Sequence, residues 1–480
     1  MKRLFVLTLL ISVGTLTVNA QNKEWTLQEC IQHALENNIS IKQTMLDLES
    51  AEIDRVDAIG NFIPSLNASA SNSWNTGLTQ NITTGILQTQ TTRNFSANVT
   101  AGMTLFDGLR NIRQLQRAKL TRLAAQYNLE LMQDDIALMV ANAYLQVLFS
   151  KENLKIIIAQ NQLTGEQLAR TQELVDAGVL PSGDLLEIKA TDANEEQRII
   201  VARNDIKIAL INLAQMLLID DYENFDIAEG NNFDIAGEEI LNEPVVEVIA
   251  QAKEIRYEIK VAEENMKIAE KDVEIAKGAY WPTIGAFFNY NTRESGNGRI
   301  IGGGLDPNNP TQEIGYVESS GEIVVAPNAI PILGDPLPFM EQLYLNDGIS
   351  YGLQLNIPIF NGFSSRNLVK RNEINVKRAE FQLEQAKLDL ESDVYQAYVD
   401  AQGALKAYES ALVALEAQEQ ANEYATERYD VGLTNAFEFS QSKLRLENAQ
   451  SEALRAKYDY IFKLKVIELY FGIPIADLKF

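Results

Sequence analysis

The sequence predicts a mainly α-helical chain with a smaller membrane β-barrel part, built from an internally duplicated helix–strand–strand–helix–helix unit. Three observations predict it. First, residues 105–218 and 359–472 align at one constant offset without a gap: Phe106 meets Phe360, Gly108 meets Gly362, Tyr144 meets Tyr398, Gly178 meets Gly432, Lys189 meets Lys443 and Asn194 meets Asn448. A register held over such a length marks an internal repeat. Second, each copy carries a proline-free helical stretch of roughly 68 residues, about 100 Å long at a rise of 1.5 Å per residue, too long for an ordinary globular helix. Third, four shorter stretches alternate apolar and polar residues with the period of a strand.

Taken in order, the chain opens with Met1-Lys2-Arg3, an apolar run from Leu4 to Val18 and then Asn19-Ala20. A basic start, an apolar centre and a small-residue cleavage site make a secretory signal peptide of residues 1–20. The first repeat then occupies 21–243 and the second 244–480. Thr26-Leu27-Gln28-Glu29 is a capping box that starts a leading helix through Ile31, Leu35, Ile41 and Leu48 to about Ile59. Gly60 and Pro64 end it. The counterpart in the second repeat runs from about Pro244 to Lys277, before Gly278 and Pro282, at an offset of 218.

Strands are expected over about 63–74, 94–106, 281–291 and 349–360. In the second, Phe95, Ala97, Val99, Ala101, Met103 and Leu105 share one face, with Asn94, Ser96, Asn98, Thr100, Gly102 and Thr104 on the other. In the fourth, Ile349, Tyr351, Leu353, Leu355, Ile357 and Ile359 oppose Ser350, Gly352, Gln354 and Asn356. About 11 residues also suits a tilted strand crossing a bilayer, although a sandwich sheet gives the same pattern. The connections favour the membrane. Asn75–Arg93 and Thr292–Gly348 read as long polar loops, whereas the strands pass almost directly into helices at their other ends, as outer-membrane barrels do. Four strands cannot close a barrel, and an open edge cannot face lipid, so the chain must oligomerise if these strands span a membrane.

The long helices are expected at about 110–177 and 364–430, the return helices at about 182–218 and 436–471, and an acidic surface connector at 219–243. In the second copy Ile374, Phe381, Leu388 and Tyr395 recur every seventh residue, as do Leu383, Leu390, Ala397, Ala404 and Ala411. The two series lie about 200° apart around the helix. The first copy repeats this less cleanly, with Leu120, Tyr127 and Ala141 against Leu129, Ile136, Ala143 and Ile157. A two-stranded coiled coil uses one stripe. A stave in a closed ring uses two, and a helix buried all round in a large core is the other reading. Return and leading helices laid end to end nearly equal one long helix, so each half supplies one continuous stave and one in two pieces.

Composition excludes several classes. The formal net charge is −25, against nucleic-acid binding, which uses basic surface. No 18-residue apolar run follows the signal segment, so no transmembrane helix is expected. The single cysteine, Cys30, permits no intrachain disulfide and reads as an apolar-face residue. The single histidine, His33, reads as a surface residue. No nucleophile elbow, phosphate loop, dinucleotide fingerprint or metal-ligand cluster is found, so neither an enzyme nor a cofactor is expected. A pore-less periplasmic coiled-coil scaffold is the alternative.

Trp25–Asn38, the helix exits Phe62-Ile63-Pro64-Ser65-Leu66 and Tyr280-Trp281-Pro282, the doubled Phe-Asp/Asn-Gly, and the turns Ala177-Gly178-Val179-Leu180 and Val431-Gly432-Leu433-Thr434 together resemble the TolC-like outer membrane efflux proteins over essentially the whole chain after the signal segment. The resemblance implies a homotrimer whose twelve strands form a barrel in outer membrane lipid, continued by a periplasmic α-helical barrel. It implies a periplasmic adaptor, an inner-membrane transporter of RND, ABC or MFS type, and passive export of drugs or of type I secretion substrates. The turns Gly178-Val179-Leu180 and Gly432-Leu433-Thr434 would touch the adaptor; glycine simply ending a helix is the plainer reading. Glu438 and Gln441, with Asp184 and Glu187 in the first copy, take the positions of a carboxylate ring at the periplasmic mouth. Such a ring favours cations, whereas acids at a helix start are also favoured by the dipole alone. Gln441 is neutral and Thr434 lacks the basic character some members have, which weakens both features here.

Overall fold

The computed structural model describes residues 24–80, 87–228, 240–241, 243–296 and 298–473; residues 1–20, expected to be a signal peptide, lie outside them. The chain starts with strand β1 (Glu24–Trp25) and a leading helix in two pieces, α1 (Leu27–Asn37) and α2 (Ile39–Gly60). Strands β2 (Ser65–Gln80) and β3 (Leu87–Phe106), the long helix α3 (Arg110–Asp176), the return helix α4 (Ser182–Leu217) and strand β4 (Asp226–Ile227) follow. The second half has α5 (Val245–Ile255), α6 (Tyr257–Gly278) and β5 (Thr283–Ser295), then short strands β6 (Arg299–Leu305), β7 (Thr311–Tyr316), β8 (Ile323–Pro327) and β9 (Ala329–Gly334). A short helix α7 (Phe339–Leu345), strand β10 (Gly348–Asn356), the long helix α8 (Ser364–Asp430) and the return helix α9 (Ala436–Tyr470) complete it. Both long helices have 67 residues. The chain divides into two compact units, one made of Ile53–Lys119 and Glu270–Ile374, the other of the remainder.

The sheet unit holds four antiparallel strands in the order β10–β5–β3–β2. The register puts Leu66, Trp74, Val99, Met103, Tyr290, Tyr351, Leu353 and Leu355 on one face and Asn67, Ser71, Asn98, Thr100, Asn289 and Gln354 on the other. The apolar face is exposed: Leu66 at 73%, Tyr351 at 79% and Leu353 at 71%. Among the described residues the outer sides of β2 and β10 have no strand partner.

The strand bounds correct the sequence reading. The expected loop 75–93 is largely strand, because its threonines are β-branched and pair across the hairpin, Thr76 with Thr91 at 2.8 Å. Residues 81–86 lie outside those described. β5 runs on to Ser295, and 292–348 is not a plain loop but holds β6–β9 and α7. Its β-branched runs Ile300-Ile301 and Ile323-Val324-Val325 supply strand propensity. β10 stops at Asn356, short of the expected 360; Pro358 has no N–H to continue a ladder.

Phe-Asp/Asn-Gly forms both strand-to-helix turns. Two successive residues take positive φ in each, Gly108 and Leu109, and Gly362 and Phe363. Asp107 caps α3 by accepting from the Asn111 N–H at 2.9 Å. At Gly108 a Cβ would stand 2.4 Å from the Gly278 carbonyl, so no other residue fits.

The helical unit is centred on Tyr144, Leu145 and Leu148 of α3, packed with Leu27 and Ile31 of α1, Leu213 and Leu217 of α4, and Ile227. Cys30 is buried there. Thr26 and Glu29 form the capping box. Three expectations are corrected. His33 is half-buried, its ring edge-on to Trp25 at 5.0 Å. The connector is not merely surface: β4 pairs with β1, and Phe225 and Ile227 are buried. Tyr144 donates to the carbonyls of Trp25 or Ala228, while its repeat mate Tyr398 donates to those of Leu241 or Glu243. Connector residues 229–239 and 242 lie outside the described set. Thirdly, each leading helix breaks once, at Asn38 and at Arg256, the same 218 residues apart as Pro64 and Pro282.

Side chains explain both breaks. Asn38 Oδ1 accepts from the Ser40 N–H at 2.8 Å, while its Nδ2 donates to the Met216 carbonyl at 3.2 Å. Buried Arg256 pairs with Glu258 at 2.7 Å and Asp134 at 3.1 Å, with its guanidinium over Tyr470 at 5.5 Å. The ends of α4 and α9 thus meet the leading helices at these breaks, Gln251 also donating to the Phe471 carbonyl. The two stripes of α8 part company: Leu390 and Ala404 are buried and Leu383, Ala397 and Ala411 half-buried, with Val394 and Ala401 buried beside them, but Ile374, Phe381, Leu388 and Tyr395 are exposed. On α2, Ile39, Leu46 and Ile53 form a matching exposed stripe of period seven. The stripe residues of α3 are all at least half-buried.

Burial raises the Asp134 carboxyl from 3.8 to about 6, with Arg256 opposing and Glu258 and Asp135 adding to the rise. An acid whose folded pKa is raised binds its proton more tightly in the folded state, so its contribution is present below about pH 4 and is lost as pH rises to about 6. The thermal midpoint of the wild type, relative to Asp134→Asn, is therefore expected to fall between these pH values and then level off; a flat difference by circular dichroism would contradict it.

Candidate functional site

Long helices α3 and α8 end in the same way. Gly178 and Gly432 take φ of 75° and 74°. Val179 N–H reaches the Leu174 carbonyl and Gly178 N–H that of Val175; Leu433 and Gly432 repeat this with Arg428 and Tyr429. These are Schellman closures, in which only a residue tolerant of the left-handed region ends the helix without strain. The closures turn apolar side chains outward: Val179, Val431 and Leu433 are each about two-thirds exposed, while Leu180 and Thr434 are half-buried.

The return helices start at Ser182 and Ala436. Asn435 caps α9 by accepting from the Glu438 N–H at 2.9 Å. Asp184 and Glu438 occupy equivalent first-turn positions, where carboxylates are favoured by the helix dipole. The Glu438 carboxylate also accepts from the Thr434 hydroxyl. Glu438 and Gln441 line one open groove of about 570 Å³ with Thr434, Arg428, Arg445 and Phe437. Asp184 and Glu187 are half-exposed and do not line it. Within one chain Glu438 and Gln441 thus share a groove with two arginines, Arg428 and Arg445. Among the described residues no group of three His, Cys, Asp or Glu is placed to hold a metal.

Sequence reasoning missed the residues that bind the two hairpins together. Tyr429 is buried, stacked on Phe439 at 5.0 Å, its hydroxyl 3.0 Å from Thr171 Oγ1. Burial raises its phenol pKa. Arg170 pairs with Asp430 at 3.0 Å. Higher up, Lys443 is buried among Glu195, Thr164 and Gln160, with Nζ 3.1 Å from Glu195 Oε1 and hydrogen-bonded to Thr164 and the Gln160 carbonyl. Burial lowers the Lys443 pKa, against which Glu195 acts. Beside it Arg198 grips the buried Glu447 with both nitrogens. The available signal was spacing: Ala436, Phe439, Lys443, Leu446 and Ala453 follow a heptad seam, so Lys443 occupies a core position.

Removing one partner of a buried pair costs about 3–5 kcal/mol, whereas replacing both by apolar groups is often neutral. Lys443→Met is therefore expected to lower the thermal midpoint clearly, and Lys443→Met with Glu195→Leu to restore most of it, by calorimetry on the purified protein.

Residues 30–217 and 339–470, more than half of the chain, match the family described as outer membrane efflux protein. The chain is similar to Outer membrane protein TolC of Vibrio cholerae, 22% identical over 342 residues, covering 70% of this chain and 67% of that one. It is also similar to Protein CyaE of Bordetella pertussis, 24% identical over 439 residues, covering 91% and 80%. Its fold is that of the solved CmeC outer membrane channel of Campylobacter jejuni, with TM-score 0.71 and 16% identity over 96% of this chain and 86% of that one. The outer membrane protein VceC of Vibrio cholerae gives 0.68 and 15% over 93% and 96%. With its helical staves, strand sheet and matched segments, the chain belongs to the outer membrane efflux protein family, whose members are outer membrane channels and not enzymes.

Proposed function

We propose that three copies of this chain close into one duct: a twelve-stranded barrel in the outer membrane continued by a periplasmic α-helical barrel. The carrying observation is the pair of unpartnered edges. Among the described residues β2 and β10 each leave one side without a strand, and such a side cannot face hydrocarbon. The exposed apolar stripes of α2 and α8 call for partners for a different reason, since an apolar patch left in water marks an interaction surface. Pairing β10 of one copy with β2 of the next, and α8 with α2, satisfies all four with one contact repeated around a ring. Phe381→Asp with Leu388→Asp is expected to abolish the trimer in mild detergent without loss of helical signal; a trimer that survives, by native mass spectrometry, would refute this contact.

The duct hydrolyses nothing. It carries small toxic molecules or type I secretion substrates passively from an inner-membrane transporter of RND, ABC or MFS type, reached through a periplasmic adaptor. The exposed Val179, Val431 and Leu433 at glycine-closed tips suit adaptor contact. Leu433→Asp is expected to abolish export in cells while leaving trimer and outer-membrane level unchanged. Glu438 and Gln441, with Asp184 and Glu187, stand at the mouth. Planar-bilayer recording is expected to show cation preference reduced in Glu438→Ala, and absence of conductance in wild type would sink the duct itself.

A further inference from the structure

Helix α7 carries apolar side chains on its outer face as well as its inner one. A helix on a water-soluble surface turns its apolar stripe to the core and its polar face to solvent. In α7 the residues turned to the protein are Phe339, Gln342, Leu343 and the following Asn346, at the spacing of one helical face. Gln342 is buried, its amide donating to the carbonyls of Ser295 and Leu337 and accepting from the Ser295 N–H at 3.1 Å. Asn346 donates to the Arg293 carbonyl at 3.0 Å, and Thr292 donates to that of Leu343 at 2.7 Å. β10 begins opposite Asn291, so these amides take the place of a strand along the last residues of β5. The opposite face carries Met340, Tyr344 and Leu345, which are 56%, 75% and 64% exposed, and exposed Glu341.

The helix sits on the apolar face of the sheet. Phe339 packs edge-on against Phe95 at 5.1 Å, and the Arg93 guanidinium lies over its ring at 5.6 Å. Phe95 shares its face with Val99 and Tyr290. The buried Glu294 on that face is neutralised by Arg93 at 2.7 Å. The exposed side of α7 thus continues the surface of Tyr351, Leu353 and Trp74, at the end of the strands remote from the helix turns. We propose that α7 is an interfacial anchor that lies in the outer leaflet at the boundary of headgroups and acyl chains. Met340, Tyr344 and Leu345 enter the acyl region; Glu341, with Asp335 and Asp347 flanking the helix, holds its level at the headgroups. The proposal rests on the reading that the sheet spans the membrane, and deepens it by naming the lipid zone this segment takes.

Nitroxide labels at Tyr344→Cys, Leu353→Cys and Glu318→Cys, each in Cys30→Ala protein, test it after reconstitution in phosphatidylcholine vesicles. The reading is the ratio of oxygen to nickel-chelate accessibility. Leu353 and Tyr344 are expected to exceed the loop position Glu318 several-fold, with Tyr344 the shallower, about 5–10 Å below the phosphates. Lipid-like Leu353 with water-like Tyr344 overturns the anchor while the spanning sheet stands. Low access to both probes at Tyr344 also overturns it and assigns the face to a sister chain. Water-like Leu353 removes the spanning sheet and the anchor together.

Discussion

A strand edge facing hydrocarbon leaves its N–H and C=O groups without partners, and each such group costs several kcal/mol. The rest of this molecule answers to that constraint. Among the described residues one chain supplies a sheet of four long strands with two open sides; eight is about the smallest number that closes an outer-membrane barrel. The apolar face, with its exposed Leu66, Tyr351 and Leu353, has the chemistry of a lipid boundary, and the Asn, Ser and Thr face that of an aqueous wall. Even local details follow from it. Where β10 is shorter than β5, side-chain amides of Gln342 and Asn346 meet the backbone groups that a strand would have met.

The helical unit answers a second demand, that a helix of 67 residues keep one register against its neighbours. Apolar stripes alone allow slippage by a heptad. The buried polar layer of Lys443, Glu195, Thr164 and Gln160 does not, since a shift by seven residues would leave a buried charge unpaired. Single polar residues at seam positions select register in coiled coils in this manner. The breaks at Asn38 and Arg256 do related work: a bent leading helix lets the return helix end against it, with Asn38 bonded to Met216 and Arg256 set over Tyr470.

Much of this was legible from spacing. The match of Phe106 to Phe360 is read by aligning the chain on itself, and the heptads from Ile374 and Leu383 and the alternation from Phe95 and Ile349 follow from periods of 3.5 and 2, which are local properties of the chain. Loops were read less well. The threonines of 75–93 and the isoleucines and valines of 299–327 form hairpins, because strand pairing depends on a partner that hydropathy does not reveal. At the hairpin tips, Glu438 and Asp184 stand on equivalent first turns, yet only tertiary packing sets Arg428 and Arg445 in one groove with Glu438.

By itself the sequence determined the lengths of the long and return helices, the glycine-closed tips at Gly178 and Gly432, the capping box at Thr26 and the two faces of β3 and β10, because the patterns that carry them are local. The tertiary structure alone decided which stripe of α8 is covered and which is left exposed, where the leading helices break, and that Lys443 meets Glu195. Those outcomes depend on contacts between residues hundreds of positions apart, and no local propensity encodes which of two equally apolar faces will find its partner within the same chain.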